Sequence, residues 1–161
     1  MLDETSTVDP ANELDCSLFD FQQIAFYCTR IAASLYQRRI GLTISECNCV
    51  TLLHHLGAMS IMDLAERALL DRALVSRIAT DLAARGLLTR RQNPNDARSV
   101  ALELTEAGRQ MAGDIVEISC EMSDFLLSAL TAGERAILPS ILERLASHSR
   151  KALAHQRRRI R

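Results

Sequence analysis

The sequence predicts a mainly α-helical protein with a small β-hairpin wing, a winged helix-turn-helix with further helices on either side. Three observations predict it. The stretch from Ser60 to Gly108 reads as two short helical patterns, then a hairpin with an arginine-studded loop, then a new helix start. That order is built to lay one helix in a DNA groove. The composition is 48% apolar but only 4% aromatic, with no Trp, which suits a Leu- and Ala-rich helical core better than a β-sandwich. At 161 residues the chain has room for one domain with extensions.

The elements follow in order. Residues 1–16 lack periodicity and are expected to form a disordered N-terminal segment, leaving 17–161 as a single domain. Phe21, Ile24, Cys28, Ile31 and Leu35 recur at helical spacing and predict a first helix over 17–39. Thr43-Ile44-Ser45-Glu46 has the form of a capping box and opens a second helix, which Gly57 closes as a left-handed C-cap. Ser60 with Asp63 starts a third helix. Asp71 caps a fourth, with Val75, Ile78 and Leu82 facing inward and Gly86 as its stop signal.

Two strands are expected at Leu87–Arg91 and Ser99–Leu104, the second alternating Val100, Leu102 and Leu104 with Ala101 and Glu103. The turn between them carries a charged tip. Thr105 caps a long fifth helix. Thr131-Ala132-Gly133-Glu134 is a second capping box, opening a last helix to about His155 with Pro139 as a candidate kink.

A net charge of −1 conceals strong asymmetry. Residues 1–20 hold six acids and no Lys or Arg, whereas residues 148–161 hold six Lys or Arg and no acid. Between Ser60 and Arg98 seven Arg face five acids. A near-neutral total does not argue against nucleic acid when positive charge is local. The inserted helix would run from Asp71 to Arg85, and subtracting its inward residues leaves Arg72, Ala73, Ser76, Arg77 and Thr80 outward. Arg grips guanine bidentately or holds a phosphate, and Ser reaches either. In the wing, Arg90, Arg91 and Arg98 suit a narrow minor groove, whose negative potential holds Arg. Asp96, two residues before Arg98, makes sense as an anchor that orients an arginine. The bland alternative is a solvated helix face and a charged hairpin whose surface pairs are worth under about 1 kcal/mol each.

Residues 42–108 resemble the MarR family of bacterial transcription regulators. The matching pieces are Leu42-Thr43, Asp63-Leu64-Ala65-Glu66-Arg67, Asp71-Arg72-Ala73-Leu74-Val75-Ser76-Arg77 and Gly86-Leu87-Leu88-Thr89-Arg90-Arg91. The most specific piece is Asp96-Ala97-Arg98 followed by Leu102-Glu103-Leu104-Thr105-Glu106-Ala107-Gly108. The resemblance implies a winged helix-turn-helix over 42–108 and an obligate homodimer joined by helices 17–39 and 106–155. It further implies double-stranded DNA with a pseudo-palindromic operator as partner, Ser60 among the DNA contacts, and a small-molecule effector that releases a repressor.

Two departures stand out. Where the family often has Gly before the recognition helix, this chain has Leu69. A left-handed Leu costs about 1–2 kcal/mol, which predicts a turn built differently. No aromatic stands near Cys47-Asn48-Cys49, where many members carry one.

The effector side is drawn from residue chemistry. Phe26, Tyr27, Arg30, Arg38 and His54 would suit an aromatic carboxylate through stacking and charge-assisted bonds. Cys47, Cys49, His54 and His55 lack a recognised metal-ligand spacing. Redox sensing by Cys16 or Cys28 is an alternative to a ligand, and a winged helix that binds protein in place of DNA is another. No Gly-rich phosphate loop, nucleophile elbow or HExxH pattern is present, so neither an enzyme nor a cofactor is expected. No apolar run approaches the roughly 18 residues of a membrane span, and the acidic N-terminus does not read as a secretory signal; the cytoplasm is the expected location.

Overall fold

A computed structural model describes the backbone over residues 10–93 and 96–159 and the side chains over residues 19–91 and 100–155. Within those residues the order is α1 (Pro10–Ile40), α2 (Ile44–Leu56), β1 (Met59–Ser60), α3 (Ile61–Ala68), α4 (Arg72–Ala84), β2 (Leu88–Asn93), β3 (Asp96–Leu104), α5 (Glu106–Leu127) and α6 (Ala132–Arg159). The predicted class holds: a mainly helical chain with a small antiparallel sheet.

Helix starts obey local chemistry. Thr43 caps α2 as a full box: its amide donates to Glu46 Oε2 at 2.6 Å, and the Glu46 amide donates back to its hydroxyl at 3.3 Å. Ser60 Oγ accepts from the Asp63 amide at 3.1 Å to start α3. Asp71 Oδ1 accepts from the amides of Ala73 at 2.7 Å and Leu74 at 3.3 Å to start α4. Each bond satisfies an amide that the first helical turn otherwise leaves unpaired. The first helix begins seven residues earlier than expected, at Pro10, so residues 10–16 of the expected disordered segment are helical. Proline's fixed φ and missing N–H cost nothing in a first turn. Residues 1–9 of that segment lie outside the described residues.

Two turns correct the sequence expectations. Gly57 does close α2, but at φ 78°, ψ −165°, an extended mirror conformation open to glycine and not the left-handed helical one. Leu69 sits at φ 56°, ψ 38°, the left-handed conformation that the departure from Gly had argued against. The Leu70 amide donates to Ala65 O at 3.0 Å and the Leu69 amide to Glu66 O at 3.3 Å. Those two bonds make a Schellman ending. The same pair, Leu87 to Leu82 O and Gly86 to Ala83 O, ends α4 around Gly86. The turn is therefore built in the glycine manner with a leucine in it. Paired carbonyls at the end of α3 offset the backbone strain.

The sheet has strand order β1-β3-β2. The hairpin pairs Leu88 with Leu104 through Gln92 with Val100, and both strands run longer than their alternation suggested. The third strand, β1, pairs Met59 with Leu102 and Ser60 with Ala101, tying the start of α3 to the wing. Leu42, Val50, Leu64, Val75, Leu82 and Leu102 are fully buried and form the centre of this lobe. Burying a side chain of that size contributes about 1.5–3 kcal/mol. A Cβ on Gly108 would run into the Leu87 carbonyl oxygen, which explains why the motif after β3 ends in glycine: backbone packs on backbone there.

The chain divides into two units, residues 1–119 and 120–161, with the boundary inside α5. In the first, Ala32 and Tyr36 of α1 and Ile115 and Ile118 of α5 are buried, and Tyr36 reaches Ser119 on α5. Ser119 Oγ donates to Ile115 O at 2.7 Å, so in the 2.8 Å contact between them Tyr36 Oη donates to Ser119. The predicted α1 stripe behaves differently. Phe21, Ile24 and Ile31 are exposed, together with Phe19, Phe26 and Tyr27. In the second unit Thr131 and Glu134 form the expected capping box, and their hydrogen bonds draw the Glu134 carboxyl below its ordinary range. The last helix runs on through Pro139 to Arg159, past the expected end at His155. Among the described residues no single helix is long and apolar enough to cross a membrane.

Relieving the backbone at Leu69 tests the turn. Leu69→Gly should raise stability by about 1 kcal/mol, or about 2–4 °C in melting temperature for a chain of this size, because its 86%-exposed side chain contributes little packing. A lower melting temperature in the glycine variant would contradict the left-handed assignment.

Candidate nucleic-acid interface

The outward face of α4 is defined by what its other face buries. Val75, Ile78, Ala79 and Leu82 lie at 6% exposure or less, at the i, i+3, i+4, i+7 spacing of one helical stripe. Ala79 joins the three residues read from the sequence. The opposite side presents Arg72, Ala73 and Arg77 to solvent, with Ser76 half-buried beside them. Asp71 spends its carboxylate on the two amides of the helix start, and Arg72 and Ala73 in that first turn are exposed. Thr80 is also exposed, but its hydroxyl is engaged: it donates to Ser76 O at 2.9 Å and accepts from Arg90 Nη2 at 2.7 Å.

On the wing, strand parity sorts the arginines. Leu88 is buried, and Arg90 shares its face of β2, turned toward α4. Arg91 takes the other face, 72% exposed, with Nε 3.4 Å from Glu103 Oε2 on β3. The backbone of Asp96 and Arg98 belongs to β3, and their side chains lie outside the described residues. Ser60, half-buried, donates to Asp63 Oδ2 at 2.7 Å as well as accepting from its amide, so its hydroxyl belongs to the α3 cap. Arg90 matters more here than the sequence alone suggested. The buried parity of Leu88 was the available signal.

Arg85, at the end of α4, was not singled out at all. Its Nη1 donates to Gly41 O at 3.0 Å, and its Nη2 to Ile40 O at 3.4 Å. The same guanidinium lies 3.8 Å from Glu46 Oε1, which also caps α2. One arginine thus ties the end of α4 to the end of α1 and the start of α2. A cation at the carbonyl end of α1 complements that helix's dipole. No sequence pattern links position 85 to carbonyls 44 and 45 residues away.

The effector candidates do not gather in one place. Phe26 and Tyr27 meet edge-to-face at 5.6 Å, and the Arg30 guanidinium lies 5.6 Å from the Phe26 ring centre, all on the exposed side of α1. Arg38 turns back to Ser34 O within the same helix. His54 instead lines a cleft of about 230 Å³ with Leu53, Gly57, Ala58, Glu103, Leu104 and Arg109. None of the four α1 residues lines that cleft. Cys47 and Cys49 are buried; desolvation, with the Glu46 carboxylate beside them, pushes their thiols up to about 12 and about 11. Both stay protonated at neutral pH, and a protonated thiol is a poor nucleophile. Cys28 is half-buried and Cys120 exposed, while Cys16 has no described side chain.

Known proteins resemble this chain in both sequence and shape. The MarR family model matches residues 42–100. FarR of Neisseria gonorrhoeae, a helix-turn-helix transcriptional regulator, is 30% identical over 106 residues, covering 66% of this chain and 73% of that protein. YdgJ of Bacillus subtilis, another helix-turn-helix transcriptional regulator, is 27% identical over 138 residues, covering 78% of this chain and 84% of that one. Among solved structures, BpsR of Bordetella bronchiseptica superposes with a TM-score of 0.64 at 23% identity, over 78% of this chain and 91% of that chain. The DNA binding of BpsR is regulated by 6-hydroxynicotinic acid.

Proposed function

The chain belongs to the MarR family of DNA-binding transcriptional regulators, not enzymes, and we propose that it is a homodimeric repressor of a pseudo-palindromic operator, released by a small aromatic acid. The observation that carries the DNA reading is the division of α4. Its apolar stripe is wholly buried, so the only face left to meet a major groove carries Arg72, Ala73, Ser76 and Arg77. Arg77 and Arg72 are assigned to base edges or phosphates, Ser76 to either, and the Ala73 methyl to a thymine methyl. Ser60 and Thr80 flank this face. Arg91 and Arg98 are assigned to the wing's approach to the backbone and minor groove, with Asp96 orienting an arginine there.

Dimerisation rests on apolar surface without cover. In the first unit Phe19, Phe21, Ile24, Tyr27 and Ile31 are exposed on α1, and in the second Phe125, Ile137, Ile141 and Leu145 are exposed. Monomeric proteins rarely leave such stripes in water, and a two-fold pair buries the same stripe twice. Two recognition helices related by a two-fold axis then demand half-sites about one helical turn, roughly 34 Å, apart.

The effector reading rests on the Arg30, Phe26 and Tyr27 cluster, a cation beside two rings, with Arg38 and His54 as further polar candidates. A ligand releases DNA only by binding the DNA-incompetent arrangement more tightly than the competent one. The regulation of BpsR by a hydroxylated aromatic acid is of the same chemical kind.

Operator binding is tested by gel shift on DNA upstream of the protein's own gene across a salt series. Arg77→Ala and Arg98→Ala should each weaken binding by about 1–3 kcal/mol while leaving a folded dimer. Unchanged affinity in both, or a monomer that binds one half-site at full strength, would contradict the proposal.

For the effector, hydroxylated benzoic and nicotinic acids should bind the wild type in isothermal titration, and Arg30→Ala should weaken the interaction about tenfold or more, as expected for loss of a charge-assisted bond. Equal affinity in Arg30→Ala and His54→Ala would remove these residues from the site. Release by oxidant alone, abolished by a Cys→Ser change, would replace ligand sensing with redox sensing.

A further inference from the structure

We propose that Arg90 is a positioning residue: through Thr80 and the Ser76 carbonyl it clamps the wing to the recognition helix, fixing the two DNA-reading elements relative to one another. The inference rests on the DNA-binding reading above and adds to it a reassignment of Thr80, from a DNA contact to one half of the clamp.

The geometry is specific. Arg90 Nη2 donates to Thr80 Oγ1 at 2.7 Å and reaches Ser76 O at 3.4 Å. Thr80 Oγ1 donates its one proton to Ser76 O at 2.9 Å. With that proton committed, the hydroxyl can only accept from the guanidinium, so the direction of every bond is determined. The three groups close a ring between β2 and α4. The charge-assisted bond in it is of the stronger class.

Position gives the ring its consequence. Ser76 and Thr80 lie one turn apart on α4, and Ser76 carries one of the side chains presented to DNA. Beyond Arg90, β2 continues through Arg91 to Asn93 and the tip of the wing. Below it, the hairpin is already held by buried Leu87 and Leu88. Arg90 is therefore the outermost described link from the wing strand to the helix. Without it, the wing swings on its apolar base and the pose that fits both grooves is populated less often, which weakens binding by that fraction. Arg91, one residue on, takes the opposite face and cannot substitute.

A double-mutant cycle read by operator affinity tests the clamp. Arg90→Met keeps the stem and removes the donors; Thr80→Val keeps the shape and removes the hydroxyl. Each should weaken binding about fivefold per half-site, the loss of one net hydrogen bond in each protomer. The double variant should also be about fivefold weaker per half-site, because either change alone already opens the ring. The slope of log affinity against log salt should not change in Arg90→Met, and Arg90→Lys, which keeps a charged donor group without the fork, should recover part of the loss. If Arg90 instead held a phosphate independently of Thr80, the slope would fall by about 0.9 per protomer and the two losses would multiply to about 25-fold per half-site. Either result overturns the clamp while leaving DNA binding intact. Failure of the wild type to bind any DNA in the same assay would overturn the DNA reading and the clamp together. Should Arg90→Met not fold, Thr80→Val against Arg90→Lys closes the same cycle.

Discussion

The burial of one stripe of α4 governs the rest of the molecule. Val75, Ile78, Ala79 and Leu82 are taken up by a core that also holds Leu42, Val50, Leu64 and Leu102. A helix has only one other side to offer, so Arg72, Ala73, Ser76 and Arg77 are left outward by default. Rotating α4 by even a fraction of a turn would bury an arginine and expose a valine, each at a cost of kilocalories per mole. Hydrophobic packing sets which residues of α4 face outward. Polar bonds then set the helix's ends: Asp71 at the start, Arg85 to α1 and α2 at the finish, and Arg90 and Thr80 along its flank.

Signals confined to a few neighbouring residues were legible in the sequence. The caps at Thr43, Ser60 and Asp71 each depend on a side chain reaching an amide two or three positions on, and the structure holds all three. The period of the recognition helix was equally plain. Leu69 was misjudged because propensity weighs the strain of one residue alone, whereas the carbonyls of Ala65 and Glu66 need donors and the turn supplies them whatever side chain stands there. A two-residue strand such as β1 carries no alternation to detect. It exists because β3 has a second edge to satisfy.

The candidate site was legible as a face but not as a set of bonds. Arg72, Ala73, Ser76 and Arg77 could be found by subtracting the inward stripe. Thr80 passed the same subtraction although its hydroxyl is committed to Arg90, ten residues away across a strand. Arg85 gave no signal at all, since its hydrogen-bond partners are main-chain carbonyls and the Glu46 carboxylate beside it lies thirty-nine residues back in the chain. The effector candidates illustrate the same limit. Chemistry selected Arg30 and His54, but the fold puts one among the rings of α1 and the other in a cleft at the end of α2.

The central claim is that α4 enters a major groove with the wing beside it, twice over in a two-fold dimer. Hydroxyl-radical footprinting with methylation interference, on DNA upstream of the protein's own gene, tests it most directly. The account predicts two protected patches on one side of the duplex, about one helical turn apart, with interference at guanine N7 in the major groove of each half-site and flanking minor-groove protection from the wings. A single uninterrupted patch of protection without guanine interference would contradict it.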